Sequence, residues 1–304
     1  LYFILSREVV KINGEEIIKY LDETNQLSVL NPGIVDIITM INSSDTLDVD
    51  TLADKISKCG NLSEALLINI NSGYFARSRN IGSLKDAIVL LGLETVERLI
   101  LAYLAKALLP DNKGKAAKLS REKYWKHCLA TSISASMLAD KLEIEDKYRF
   151  FAYGLIHDVG IPILDIYLPD IIDQVVNLQH KGLHQIIAER QVMNGFTHSH
   201  IGAWISERWK LPNDIRAIVE YHHIPLQAKE YLTEVRILSV ADSISTLYYE
   251  RLLSLNTKYV INEKVFNLLG ITMQDIEDIS AELPSKVEEA KKLFNFTMFN
   301  IDNL

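Results

Sequence analysis

Seven side chains in the middle of this sequence have the types expected of metal ligands: His127, His157, Asp158, His198, His222, His223 and Asp242. All eight histidines of the 304-residue chain fall between positions 127 and 223, and such clustering points to a site rather than to scattered surface residues. The pattern starts in the stretch GLIHDVG at 154–160, where His157 and Asp158 stand side by side among apolar residues. A buried polar group without a partner costs several kcal/mol, and a buried carboxylate more, so Asp158 needs a donor or a cation. Taken alone, the pair reads as a helix end whose side chains hydrogen-bond nearby backbone. A metal site requires partners from elsewhere in the chain.

Helical phase supplies them. In RFFAYGLIHDVGIP a helix through Phe151, Leu155 and Asp158, with Phe150 and His157 on the adjacent strip, turns both polar residues inward. Gly160 is expected to end that helix in a left-handed cap, and Pro162 to prevent its continuation. In PNDIRAIVEYHHIP the helix begins near Asn213 or Asp214, and Ile215, Ile218 and Val219 lead at the same spacing to His222. His223 follows at about 100° around the axis. Both histidines also suit a helix C-terminus as complements to its dipole. In GFTHSHIGAWISERWKL, His198 shares a face with Ile201, Gly202 and Ile205, whereas His200 lies with Trp204 and Glu207 and is expected at the surface. Asp242 shares a strip with Leu238, Ala241 and Ser245. His127 lies beside Ala130, Thr131 and Ser134, whose small side chains admit another helix or an ion. Neutral imidazoles and carboxylates together suit one or two divalent ions of zinc, manganese or iron, and lean away from a closed thiolate site. A cation would also compensate the buried acids. His180 and His184 stand four apart, a chelating interval, but Gly182 between them weakens a helix and no acid accompanies them, so they are expected at the surface.

These ligands need helices to carry them, and the chain reads as all-α. Apolar residues recur three and four apart nearly throughout, and alternating runs are scarce. LADKISKCGNLSEALLININSGYF reads as two helices. Ser83 with Asp86 three residues on resembles a capping box, and Gly92 joints two further helices. The polar stretch PDNKGKAAKLSREKY at 110–124 is the expected linker. The tail after 260 reads as two or three more helices. The expected division is an N-terminal extension (1–25), a helical subdomain (26–112), a metal-bearing helical subdomain (113–250) and C-terminal helices packing back on the core (251–304).

Composition narrows the function. The formal charge of −8 argues against nucleic acid held on a broad basic surface. No apolar run is expected to reach the roughly 18 residues of a membrane span. LYFILSREVV lacks a small-residue cleavage site and is not read as a signal peptide. With no initiating Met, the sequence is expected to begin inside a longer chain. Two cysteines, Cys59 and Cys128, make no disulfide framework and fit a reducing cytoplasm.

Several of these stretches together resemble a known family. The segment LLININSGYFARSRNIGSLKDAIVLLGLETVERLIL, then FFAYGLIHDVG, ERQVMNGFTHSHIGAWISERWKLP and AIVEYHH, are similar in order and spacing to the HDOD proteins. These are a regulatory branch of the HD superfamily of metal-dependent phosphohydrolases. The resemblance covers about residues 26–290 and implies a multi-helix HD core packed against an N-terminal helical subdomain. It implies metal ligation by His127, His157, Asp158, His198, His222, His223 and Asp242, with Asp158 bridging two ions. It further implies a signalling output module with a protein partner, and a nucleotide or phosphate as ligand. The alternative it implies is a weak phosphohydrolase or phosphodiesterase with Asp158 and Asp242 as catalytic groups. The cyclic-dinucleotide phosphodiesterases of the superfamily have Lys where this chain has Ile161, and a Gly-Tyr-Pro segment after the paired histidines where this chain has HHIPLQAKEYL. Both departures count against that activity and leave metal binding untouched.

Overall fold

The structure, a computed structural model, describes residues 13–24, 33, 36–38, 40, 49–58, 62–71, 81–108, 113–253 and 261–293. Among the described residues every regular element is a helix. In chain order these are α1 (Gly14–Glu23), α2 (Val49–Ser57), α3 (Leu62–Ile70), α4 (Leu84–Leu91), α5 (Leu93–Leu108), α6 (Arg121–Lys141), α7 (Arg149–Ile156), α8 (Gly160–Tyr167), α9 (Pro169–Gln179), α10 (Gln185–Val192), α11 (His198–Arg208), α12 (Asn213–Tyr221), α13 (Leu232–Leu253), α14 (Glu263–Asn267) and α15 (Met273–Leu293). The all-α expectation holds, as do the paired helices α2 and α3 and the two tail helices α14 and α15. The Ser72–Asn80 part of the first motif lies outside the described residues, as does Cys59.

Local signals set the ends of several helices. The Ser83 hydroxyl accepts the Asp86 N–H at 3.1 Å and donates to the Asp86 carboxylate at 2.9 Å, which starts α4. Gly92, at φ 83°, then joints α4 to α5.

Helix α6 is the axis of the half that carries the histidine cluster. It packs against α7, α13 and α15, and its Thr131, Ser132, Ser134 and Ser136 are buried. Thr131 and Ser132 donate back to the carbonyls of His127 (3.0 Å) and Cys128 (2.8 Å), which meets their own hydrogen-bonding need. A Cβ at Gly154 would lie 2.4 Å from the Ser132 backbone, so α7 crosses α6 nearly backbone to backbone. Phe150 and Phe151 beside it are fully buried, each worth roughly 1.5–3 kcal/mol in removed apolar surface.

Three expectations are corrected. The helix through Phe151 stops at Ile156, and after a turn at 157–159 a new one starts at Gly160. Gly160 is therefore no left-handed cap; among the described residues the positive-φ glycines are Gly92, Gly182, Gly195 and Gly270. What requires glycine there is proximity, since a Cβ would lie 2.0 Å from the His198 carbonyl oxygen on α11. Pro162 sits in the first turn of α8, where its missing N–H costs nothing.

Secondly, Arg149–Tyr167 is long and apolar enough to cross a membrane by composition, with a mean hydropathy of 1.2, contrary to the expectation that no such run exists. It is 89% buried within the fold, as the α7–α8 pair of the core.

Thirdly, the polar stretch at 113–120 is no loose linker. Asp165, itself buried, accepts the N–H groups of Lys115 (3.1 Å) and Ala116 (2.8 Å) and a two-pronged Arg121 guanidinium at 2.7 Å. Asp173 accepts those of Ala117 (3.1 Å) and Lys118 (2.7 Å). Two carboxylates thus strap this segment across α8 and α9.

The ends also pack on the core. Asp22 of α1 pairs with Arg208 of α11 at 2.5 Å. Lys126 and Lys141 of α6 pair with Glu288 (3.1 Å) and Asp275 (2.7 Å) of α15.

Candidate metal centre

Four of the five histidines of the cluster, all but His223, have one ring nitrogen held from behind. Nδ1 of His157 lies 2.8 Å from the Gly154 carbonyl oxygen, and Nδ1 of His222 lies 3.0 and 3.1 Å from those of Ile218 and Val219. A carbonyl only accepts, so Nδ1 carries the proton and Nε2 keeps its lone pair. Nδ1 of His198 faces both oxygens of Glu189 at 2.8 Å, and a second Glu189 bond, also 2.8 Å, takes the His198 backbone N–H. Nδ1 of His127 meets the Ser245 hydroxyl at 3.1 Å, which meets Thr131 at 2.5 Å.

With Nδ1 fixed, the Nε2 atoms converge on two carboxylates. Asp158 Oδ1 lies 2.9 Å from His198 Nε2, 3.3 Å from His157 Nε2 and 3.4 Å from His222 Nε2. Asp158 Oδ2 lies 3.4 Å from His127 Nε2. Asp242 Oδ1 lies 3.3 Å from His127 Nε2 and 3.6 Å from His157 Nε2, and its Oδ2 lies 3.4 Å from His223 Nδ1. Nε2 of His223 and Nε2 of His198 are 3.1 Å apart. All seven residues expected from the sequence are therefore in one place, carried by α6, the α7–α8 turn, α11, the end of α12, and α13.

The donor set fits a divalent cation. His157 Nε2 and His222 Nε2 are buried and form no hydrogen bond. Lone pairs facing a carboxylate oxygen repel unless positive charge lies between them. Two groups have donor atoms all within 4.8 Å of one another: Asp158, His198, His222 and His223, and separately His127, His157 and Asp158. Asp158 is common to both. Mixed imidazole and carboxylate donors suit zinc, manganese or iron.

The protonation pattern makes the same demand for positive charge. Burial opposes charge on His127, but the carboxylates of Asp158 and Asp242 outweigh it and push the ring up to about 9. Burial likewise opposes charge on His198, and Glu189 with Asp158 raises it well above the ordinary histidine value. Burial alone would raise both acids, yet His157 and His198 hold Asp158, and His127 holds Asp242, well below the usual carboxylate range. Burial, then the neighbouring His222, pushes His223 well down. Protons on His127 and His198 thus compensate the two carboxylates in the metal-free protein.

A family model for the HDOD domain matches residues 27–225. The chain belongs to the HDOD family. A structure from Shewanella amazonensis SB2B, named as a candidate phosphohydrolase, has a TM-score of 0.67 at 19% identity, over 90% of this chain and 97% of that one. One from Marinobacter aquaeolei VT8, named as a candidate signal transduction protein, has a TM-score of 0.71 at 18% identity, over 91% of this chain and 61% of that one. At these identities the likeness is one of fold. An uncharacterized protein of Treponema pallidum (strain Nichols) is 22% identical over 222 residues, and this chain spans 42% of its length.

The remaining histidines of this HDOD chain divide. His200 is exposed, and its Nδ1 accepts the Thr197 N–H at 3.1 Å, capping α11. His180 is exposed in the turn after α9. His184, expected at the surface, is instead half-buried at the rim of the site, in a cleft with His223, Asp242, Thr246 and Glu250. Gly182, at φ 91°, reverses the chain there, so His184 precedes α10 rather than continuing α9.

Sequence reasoning missed Glu189, Ser245 and Tyr124, whose hydroxyl donates to the Asp158 carbonyl at 3.1 Å. For Glu189 a signal existed. It lies three residues after Ile186 and three before Val192, both buried, and so is an acid on an apolar strip.

A second cleft opens over His127 and Asp158 and offers about 50 Å³ to water-sized molecules. At roughly 10–15 Å³ each, that is room for about three to five waters. Ile161, Ile172, Val175 and Val176 form its apolar wall, and among the described residues Lys118 is its one lysine or arginine.

Proposed function

We propose that this protein is an HDOD-type regulatory output module that holds one or two divalent transition ions and acts through contact with a protein partner. His127, His157, Asp158, His198, His222, His223 and Asp242 would hold the ions, with Asp158 common to both. The observation that carries the regulatory reading is the wall of the cleft over Asp158, where Ile161 presents a buried apolar side chain. Phosphoryl transfer needs charge stabilisation at the non-bridging oxygens, and one lysine facing an aliphatic wall supplies little of it. The name of the Marinobacter neighbour, a candidate signal transduction protein, agrees with this reading. The buried free thiol of Cys128 fits a reducing cytoplasm. The working unit would be residues 113–250, with 26–112 as its partner subdomain.

The complete donor set favours a second reading, hydrolysis of a small phosphoester. Bound ions would then supply charge to clamp an oxyanion and to acidify a bound water. Of the chain's own groups, Asp158 would anchor and Asp242 would orient the nucleophile.

Elemental analysis of protein purified without chelator or nickel resin tests the first half of the proposal. One to two ions per chain are expected, and under about a tenth of an ion would defeat it. Turnover by metal-replete protein tests the second half, against cyclic dinucleotides, nucleotides and an aryl phosphate with Asp158→Ala as the blank. Loss of one charged phosphate contact costs about 2–4 kcal/mol of transition-state stabilisation, so weak or undetectable turnover is expected. A rate above about 1 per second, absent from the Asp158 variant, would make the protein an enzyme.

A further inference from the structure

The groups behind the histidines differ in kind, and the difference matters at His127. Carbonyl oxygens stand behind His157 and His222, and a carboxylate behind His198; all of these accept only. Behind Nδ1 of His127 stands the Ser245 hydroxyl at 3.1 Å. A hydroxyl can accept from Nδ1–H or donate to a bare Nδ1. The first choice leaves the neutral ring's lone pair on Nε2, which faces Asp158 and Asp242 at 3.4 and 3.3 Å. The second puts the proton on Nε2 and removes His127 as a ligand. Serine alone leaves the choice open.

Thr131 closes it. Its hydroxyl lies 2.5 Å from that of Ser245, and two oxygens this close need a proton between them. The two hydroxyls own two protons. Thr131 has a carbonyl acceptor, that of His127, at 3.0 Å, and Ser245 has that of Asp242, also at 3.0 Å. If Thr131 donates to its carbonyl, Ser245 must donate to Thr131. If Ser245 donates to its carbonyl, Thr131 must donate to Ser245. In both arrangements Ser245 has no proton left for Nδ1, so Nδ1 carries one and gives it to Ser245. Donation from Ser245 to Nδ1 would instead deprive both carbonyls of a hydroxyl. Both residues are fully buried, so solvent supplies no further proton.

We propose that Thr131 and Ser245 are positioning residues for the metal centre, a hydroxyl pair that holds His127 in the tautomer whose Nε2 can take an ion. The proposal rests on the metal-holding reading and divides that centre in two. The ion shared by His127, His157 and Asp158 depends on the pair. The ion shared by Asp158, His198, His222 and His223 does not, since Glu189 and the α12 carbonyls back His198 and His222.

The test titrates manganese into metal-free full chain, following ions bound per chain and the electron paramagnetic resonance spectrum. Wild type should take two ions and end in the spectrum of a spin-coupled pair. Ser245→Ala should bind one ion with wild-type affinity and the other about 10- to 100-fold more weakly, the usual effect of losing the partner behind a ligating histidine. Between those affinities its spectrum should be the sextet of an isolated ion. Thr131→Val should weaken the same ion roughly 3- to 10-fold, the worth of one neutral hydrogen bond, and Thr131→Ser, which keeps the hydroxyl, should stay within about twofold of wild type. The unweakened ion reports that each variant is folded. A pair that only ties α6 to α13 would lower the melting temperature and spare both affinities. Two ions bound by Ser245→Ala as tightly as by wild type, or a loss shared equally by both ions, overturn the positioning role and leave the metal reading standing. A wild-type chain that takes a single ion decides in the same way: weakening by Ser245→Ala supports the pair, and no weakening overturns it. No uptake by wild type overturns both.

Discussion

Glu189 offers the sharpest test of how this centre is built. It is fully buried, accepts the His198 N–H and faces His198 Nδ1, all at 2.8 Å, and takes the Gln185 side-chain amide at 2.9 Å. Those two contacts to His198 fix the ring's proton on Nδ1 and aim Nε2 at Asp158. A buried hydrogen bond to a charged group contributes about 1.5–3 kcal/mol net, so Glu189→Ala should cost about 3–6 kcal/mol of stability. That is a large share of the roughly 5–15 kcal/mol that holds a domain folded. Glu189→Gln keeps the volume and one acceptor, but its NH₂ cannot accept the second N–H. It should stay folded with a melting temperature several degrees lower. The metal effect is separable from the stability effect. Removing a hydrogen-bond partner from behind a ligating histidine typically costs about 10- to 100-fold in metal affinity. Chelator-competition titration of the folded Gln variant should show a loss within that range, while a role confined to packing would lower only the melting temperature. A folded Glu189→Gln protein that binds metal within about twofold of wild type would refute the positioning argument.

Three further outcomes follow from the geometry. His198→Ala should lower metal content and thermal stability more than His200→Ala, because His198 is buried against Asp158 and His200 is an exposed helix cap; equal losses in elemental analysis would put the α11 phase in error. Gly160→Ala forces a Cβ to within 2.0 Å of the His198 carbonyl oxygen, so α8 and α11 must part at a cost of about 1–3 kcal/mol. Thermal melting should show a drop of several degrees with weaker metal binding, and an unchanged melt would mean that the two helices are not in contact there. Lys141 holds Asp275 down at about 2, so the stability from this pair is complete above the ordinary carboxylate value and is lost as pH falls from there through about 2. In Lys141→Met the acid-unfolding curve of metal-free protein should shift to higher pH, and coincident curves would show that the pair contributes nothing.

The inward-facing candidate ligands were legible because buried helices write their orientation in their neighbours. His198 and His200 are two residues apart, yet Ile201 and Ile205 mark one strip as core, and the structure buries His198 and exposes His200. The same rule applies to Glu189, flanked by Ile186 and Val192, and would have found it had every acid been tested for phase. The illegible features depend on contacts between distant segments. Glycine and proline at 160 and 162 are consistent with a helix that stops and with one that restarts. Only the backbone of α11, 2.0 Å from where a Cβ would be, decides which reason put glycine there. At Gly182 a single left-handed residue carried His184 from the surface to the rim of the site. Polar composition at 113–120 marked a loop correctly and a tether not at all, since the hydrogen bonds that make it a tether come from Asp165 and Asp173, some fifty residues on. The distinction bears on function. A free linker leaves the metal cleft open on that side with only Ile161 and its apolar neighbours for a wall. The tethered segment closes that side instead, with Lys118, Leu119 and Ser120 lining the cleft beside Ile161.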